Sequence, residues 1–250
     1  MSNARFLYNY KFDTATISSS SQVSGLPDDN AVQEFVGKKW RATDCSAEWI
    51  KFDLGSAKKI TMVAIFGHNL TQSTEIRLEG RTSDSGWGAG PDIEIMTWND
   101  KAIVLFLNMT YRWWRVYLQN VGNPDGYIEI GRICAGEYVE PDVNVNENVI
   151  KKLIDPSTTI ESEGRQGYAV TRDKYRVFGV EFTGIARAQQ DELTDMFDTV
   201  GNTEYLCFAL DPTNKPNDDT IYCKINTPID MALGTLGNGD VSLVFEEKVR

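Results

Sequence analysis

The sequence predicts an all-β chain of two domains, a sandwich followed by a β-barrel that carries one helix. Short strand-like stretches recur throughout, with turn signals every ten residues or so. Only one stretch holds a helical period. At 250 residues the chain exceeds the usual length of one domain, and 41% hydrophobic with 11% aromatic residues suffices for a core in each half.

Each element follows from local pattern. Strands are expected at residues 4–12 and 14–20, before a serine run that ends in Gly25, Pro27 and Asp28. Asp29 or Asn30 can cap a short helical turn reaching Phe35. Residues 49–54 alternate apolar and polar, and 60–66 form a dense apolar run. In residues 75–81, Ile76, Leu78 and Gly80 fall on one face, with Glu75, Arg77, Glu79 and Arg81 on the other, the period of a half-buried strand. A glycine-rich loop (83–91) precedes strands at 93–98, 102–107, 112–118 and 127–134. This first domain spans 1–136 and reads as a β-sandwich or jelly roll.

Residues 137–150 are polar and form the connection. In the second domain, 151–250, Leu193, Met196, Phe197 and Val200, with Ala188 one turn earlier on the same stripe, mark a helix over about 185–200, with Gly201 as its stop. Strands are expected at 167–171, 175–183, 204–210, 220–225 and 240–248. With no regular crossover helices, a doubly wound parallel sheet does not fit.

Charge is uneven. Residues 1–136 carry 14 Lys/Arg against 15 Asp/Glu, and residues 137–250 carry 11 against 21, giving the net −11. Such a surface repels phosphates and argues against direct nucleic-acid binding; it suits solubility or a basic neighbour. No apolar run of 18 residues or more appears, so membrane insertion is not expected. The start of the chain lacks the pattern of a secretory signal, and the expected place of synthesis is a cytoplasm.

The chemistry-bearing residues are sparse. No GxSxG, P-loop, HExxH or GxGxxG motif occurs. His68, in FGHNL after an apolar strand, is the one histidine and reads as a hydrogen-bonded structural residue. The chain is therefore read as a non-enzyme, with no catalytic residues, no metal and no cofactor. Asp28-Asp29-Asn30 offers oxygen ligands for calcium but equally a turn with a cap. Cys45, Cys134, Cys207 and Cys223 are far apart and read as free thiols, although Cys207 and Cys223 lie in neighbouring strand candidates. The sequons at Asn69 and Asn108 have no secretory context. Trp87 stands in a loop without apolar neighbours; it either anchors a sugar ring or protein chain, with Asp84 and Arg81 as nearby polar groups, or folds back on its own domain. Residues 211–219, too polar for a core, read as an arm to a neighbouring copy, with Asn214, Lys215 and Asn217 in contact, or as a solvated loop.

Trp40-Arg-Ala-Thr, then Ala47-Glu-Trp-Ile-Lys-Phe-Asp-Leu-Gly55, then Ala57-Lys-Lys-Ile60 resembles the discoidin, or coagulation-factor type C, family, as does Tyr111-Arg-Trp-Trp-Arg-Val-Tyr117. The resemblance covers roughly 4–136. It implies a galactose-binding-like sandwich with Trp49 between its sheets and variable ligand-binding loops at one end. Phe66-Gly-His-Asn-Leu-Thr71, Glu129–Glu137, Tyr175–Phe182 and Phe208-Ala-Leu-Asp-Pro212 resemble minor tail proteins of siphophages. That resemblance implies a second domain like the ring-building β-barrel of distal-tail and tail-tube proteins.

The expected function is thus a structural component of a phage tail tip, located in the virion and assembled in the host cytoplasm. Its partners would be copies of itself in a ring, hexameric or trimeric, other tail proteins (tail tube and tip hub), and a host surface glycan. A stand-alone carbohydrate-binding protein and a glycan-degrading enzyme are the alternatives.

Overall fold

Strands account for nearly all the regular structure. In this computed structural model, residues 3–90, 92–226, 230–233 and 238–248 are described. They fall into two units, Met1–Glu140 with Cys207–Thr220, and Pro141–Leu206 with Ile221–Arg250. The sequence placed a single connection at 137–150; here the first unit also takes a short segment from the second half.

In chain order the strands are β1 (Arg5–Leu7), β2 (Thr16–Ser19), β3 (Trp40–Arg41), β4 (Glu48–Phe66), β5 (Glu75–Arg81), β6 (Ile93–Ile95), β7 (Ala102–Gln119), β8 (Glu129–Ile130) and β9 (Arg132–Gly136). There follow β10 (Ile150–Ile154), β11 (Thr158–Glu161), β12 (Gly167–Val170), β13 (Tyr175–Ala186), helix α1 (Arg187–Val200), β14 (Leu206–Ala209), β15 (Thr220–Ile225), β16 (Asp230–Leu233) and β17 (Asn238–Glu247). The turn expected after Pro27 is a 3-10 helix, Asp28–Val32.

In the first unit, a front sheet runs β2-β4-β7-β5-β6, and β9 pairs with the later part of β4. The sequence read β4 and β7 as two strands each; both are single long strands that pair along their length, with register shifts between Asp53 and Lys58 and between Ile60 and Met62. Such irregularities bend a strand pair, and β9 joins the part of β4 beyond them. Asp53 marks the first bend, its Oδ1 accepting the Gly55 N–H at 2.9 Å.

Between the layers lie Trp40, Trp114, Phe12, Phe52, Ile60, Ile76, Val116 and Ile133, all fully buried. Phe12 and Phe52 stack with centroids 4.0 Å apart. Trp49 is not among them. Ile50 and Phe52 take the inner face of β4, and side chains alternate along a strand, so Trp49 points outward and stays half-exposed. Trp114 and Trp40 fill the interior instead. Gly80 is fixed by packing: a Cβ there would lie 2.3 Å from Tyr111 Cδ2.

In the second unit, an antiparallel sheet is ordered β15-β17-β13-β10, with β16 also on β17. The sequence predicts a β-barrel with one helix here; the sheet is an open half-barrel, with the one helix. Helix α1 packs on β13 and β17 and buries Leu193, Met196 and Val200, three of the five expected stripe residues; Phe197 is half-buried, and Ala188, in the first turn, is exposed. Gly201 ends the helix at φ +53°, where a side chain would be strained, and its N–H bonds back to Phe197 O. Strands β11 and β12 form a separate two-stranded hairpin. Neither β10 nor β11 was expected from the sequence.

Candidate functional site

Alternation sets the outer face of the front sheet. With Ile50 and Phe52 inside, β4 turns Trp49, Lys51 and Asp53 out; β7, with Trp114, Val116 and Leu118 inside, turns out Trp113, Arg115 and Tyr117. Strand β5 turns out Arg77, Glu79 and Arg81. Register aligns these nine side chains in three rows, Trp49–Tyr117–Arg77, Lys51–Arg115–Glu79 and Asp53–Trp113–Arg81. Aromatic rings and ions therefore alternate over one surface.

The cations lie over the rings. Lys51 Nζ is 4.9 Å from the Trp49 centroid, the Arg77 guanidinium is 4.0 Å from Tyr117, and Arg112 is 5.3 Å from Trp113. Each cation also has a carboxylate. Arg112 forks onto Asp53 at 2.7 and 2.8 Å, Lys51 reaches both oxygens of Asp84 at 2.9 Å, and Arg77 meets Glu75 at 3.1 Å. Arg115 holds both Glu79 oxygens at 3.1 and 2.9 Å, and Arg81 lies 3.8 Å from Asp92. Five cations thus meet five carboxylates, and the face carries no net charge. The Lys51 hydrogen bond holds Asp84 below the usual carboxylate range, and the Arg112 hydrogen bond does the same for Asp53. Both remain ionised acceptors at neutral pH.

The glycine-rich loop closes part of this face. Trp87 lies with Arg115 4.9 Å and Arg81 5.8 Å from its centroid, and its indole N–H donates to Asp84 Oδ1 at 2.8 Å. Gly88 N–H donates to Glu79 Oε2 at 2.9 Å, and Arg81 Nε donates to the Gly86 carbonyl at 3.1 Å and its Nη2 to that of Ala89. Glu79 is 0% exposed although it points outward, because the loop and Arg115 cover it. Burial pulls the Arg115 guanidinium below its ordinary value, against the pull of Glu79.

The three residues singled out as ligand contacts, Arg81, Asp84 and Trp87, are therefore brought together. Lys51, Arg115, Glu79, Trp49, Trp113 and Tyr117 complete the surface and were not singled out. A signal for some was present: adjacent residues on a strand face opposite ways, so of Trp113 and Trp114 one must point outward.

The remaining candidates stand elsewhere. Asn214 and Lys215 are exposed; the Asn214 side chain donates to Asp211, and Lys215 N–H bonds to Asp211 O. Asn217 is committed within the first unit, accepting the Val104 N–H at 2.8 Å and donating to Thr97 O at 3.2 Å. Asn30 donates its side-chain amide to Lys39 O. His68 Nε2 lies 3.0 Å from Asn99 O, and Nδ1 accepts the Leu70 N–H at 3.2 Å, so Nε2 carries the proton. Burial pushes its pKa down to about 4 and keeps it neutral. The four cysteines are free thiols, and Cys223 Sγ donates to Leu206 O at 3.4 Å. Among the described residues, no three His, Cys, Asp or Glu side chains are grouped to hold a metal ion, and no helix is long and apolar enough to cross a membrane.

No family model matches the chain, and no curated protein matches it. Several solved structures do. Chitosan-binding module 1 of a chitosanase/glucanase from Paenibacillus sp. IK-5 is 18% identical with a TM-score of 0.41, over 52% of this chain and 100% of that one. A CBM32 module from Clostridium perfringens, solved with GalNAc-β-1,3-galactose, is 11% identical with a TM-score of 0.42, over 52% and 100%. The family 32 module of Clostridium perfringens NanJ, in complex with galactose, is 16% identical with a TM-score of 0.41, over 54% and 99%. At such identity and TM-score these likenesses carry no argument about a ligand.

Proposed function

We propose that the chain is a non-catalytic binding protein whose front-sheet face receives a neutral glycan. The observation behind this is the surface itself. The half-exposed faces of Trp49, Trp113 and Trp87 suit the apolar faces of sugar rings, and ionised Asp84 and Asp53 between them can accept hydroxyl hydrogen bonds. The balanced charge disfavours a strongly anionic or cationic ligand. Titration calorimetry against neutral and acidic oligosaccharides tests this reading. A neutral glycan should bind, and Trp113→Ala should weaken it about tenfold or more, the cost of losing one aromatic anchor. Retention of no glycan by the intact chain, or equal binding by the variant, would overturn it.

A second reading concerns assembly. We propose that copies associate through the second unit, in the setting of a siphophage tail tip, as a ring beside tail-tube and hub proteins. It is supported by the apolar side chains of the second unit that stand in water, among them Ile160, Tyr168 and Val170. Light scattering across a concentration series tests it, with a defined oligomer expected.

A further inference from the structure

Residues 150–174 form the edge strand β10, paired to β13, and beyond it a hairpin arm with no core of its own. Every residue of β11 and β12 is exposed, and so are the first four of β10. Register pairs Thr158 with Val170 and Ile160 with Tyr168, while Thr159 opposes Ala169 and Glu161 opposes Gly167. Directly opposed residues share a face, so Ile160, Tyr168 and Val170 stand together on one side of the hairpin. They are 65%, 63% and 50% exposed. On the preceding strand β10, Ile150 and Leu153 are 54% and 69% exposed. Five of the eight exposed large hydrophobics among the described residues thus fall within 21 consecutive positions. An isolated two-stranded hairpin is marginally stable in water, and scattered exposure does not concentrate apolar groups on one face.

Charge selects the partner. Residues 150–174 have five Lys/Arg against four Asp/Glu, a balance of +1, whereas the rest of residues 137–250 has six against 17, a balance of −11. The outward side of α1 presents Asp191, Glu192, Asp195 and Asp198, all exposed, beside half-exposed Phe197. Lys151, Lys152, Arg165, Arg172 and Lys174 of β10 and the arm are exposed as well. Pairing of β10 with the β10 of another copy is disfavoured, because Lys151 and Lys152 on both edges would be brought together.

We propose that the hairpin arm docks on the acidic outer face of helix α1 in a second copy of this chain. The apolar side of β11–β12 then covers Phe197, and arm cations meet the helix carboxylates. The contact joins two different surfaces, so it repeats head to tail and closes into a ring or extends. This deepens the assembly reading and rests on it.

Size-exclusion chromatography with light scattering on the full chain decides the matter, with circular dichroism as the check of folding. The native chain should form a species of several chains that weakens at high salt. The arm variant Ile160→Asp with Tyr168→Asp, and the helix variant Asp191→Lys with Asp195→Lys and Asp198→Lys, should each fall to single-chain mass. Mixed one to one, the two variants retain one intact arm and one intact helix between them, and should yield a dimer and nothing larger. Lys151→Glu with Lys152→Glu, on the exposed edge strand β10, gives a milder variant should the first fail to fold. A native chain that is monomeric at high concentration would overturn both the assembly reading and the arm. An oligomer unchanged by folded arm variants, or a mixture without dimer, would overturn the arm alone.

Discussion

The front-sheet face and the β11–β12 hairpin both carry large side chains on the outside of strands, yet they meet water in opposite ways. On the front sheet each of the five cations of the face is matched by a carboxylate, and Lys51, Arg77, Arg81, Arg112 and Arg115 also lie over rings. A loop is pinned over its centre. On the hairpin, Ile160, Tyr168 and Val170 are 50–65% exposed. A surface that satisfies its own polar groups keeps its shape without a partner and can offer preorganised rings to a ligand. A surface that leaves apolar area in water gains by being covered.

Substitutions should separate the two regions. The largest effect is expected at Glu79. Removing the buried carboxylate as Glu79→Ala leaves the half-buried Arg115 without its partner and the Gly88 N–H without an acceptor, at a cost of about 3 kcal/mol in urea unfolding. Glu161→Ala on the exposed hairpin should change stability by less than about 0.5 kcal/mol in the same experiment. Equal costs would erase the contrast.

Acid should act on the first unit next. His68 has its folded pKa depressed to about 4 from 6.5, so the unfolded chain takes up the proton first as pH falls. Stability present above about pH 6.5 is then lost between 6.5 and 4, to a ceiling of about 3 kcal/mol. Carboxylates held below their usual range, such as Asp84 and Asp53, are lost only at lower pH. The His68→Asn chain should show a shallower decline over that window. An unchanged slope would remove His68 as its source.

A smaller effect is expected at Trp87. Trp87→Ala should cost about 1–2 kcal/mol, since the ring is half-covered and stacks on two guanidinium groups. Hydrogen exchange gives the finest comparison. Amides of β11 and β12 should exchange well before those of β4, β5 and β7 unless copies are assembled.

Much of the fold was legible because it is written locally. The alternation in Glu75–Arg81 gives the strand to the residue, and Leu193, Met196 and Val200 give the helix. The break read between residues 54 and 60 was a bend rather than an end, because only the partner strand β7, bending at the same place, keeps that stretch extended. Ile150–Ile154 and Thr158–Glu161 lack alternation and so give no strand signal in the sequence. Of the candidate site, Trp87 was legible as an unusual indole. Its partner Arg115 was not, since cross-strand register joins positions far apart in sequence.

The segment Cys207–Thr220 has a practical corollary for anyone dissecting the molecule. Strand β1 pairs through Arg5, Phe6 and Leu7 with Ala209, Phe208 and Cys207, and Asn217 bonds to Val104 and Thr97. A fragment cut at Glu140 would keep β1 but lose the strand that zips to it. Its raw edge would invite aggregation, so the sandwich is best isolated by grafting 207–220 back through a short linker, not by truncation.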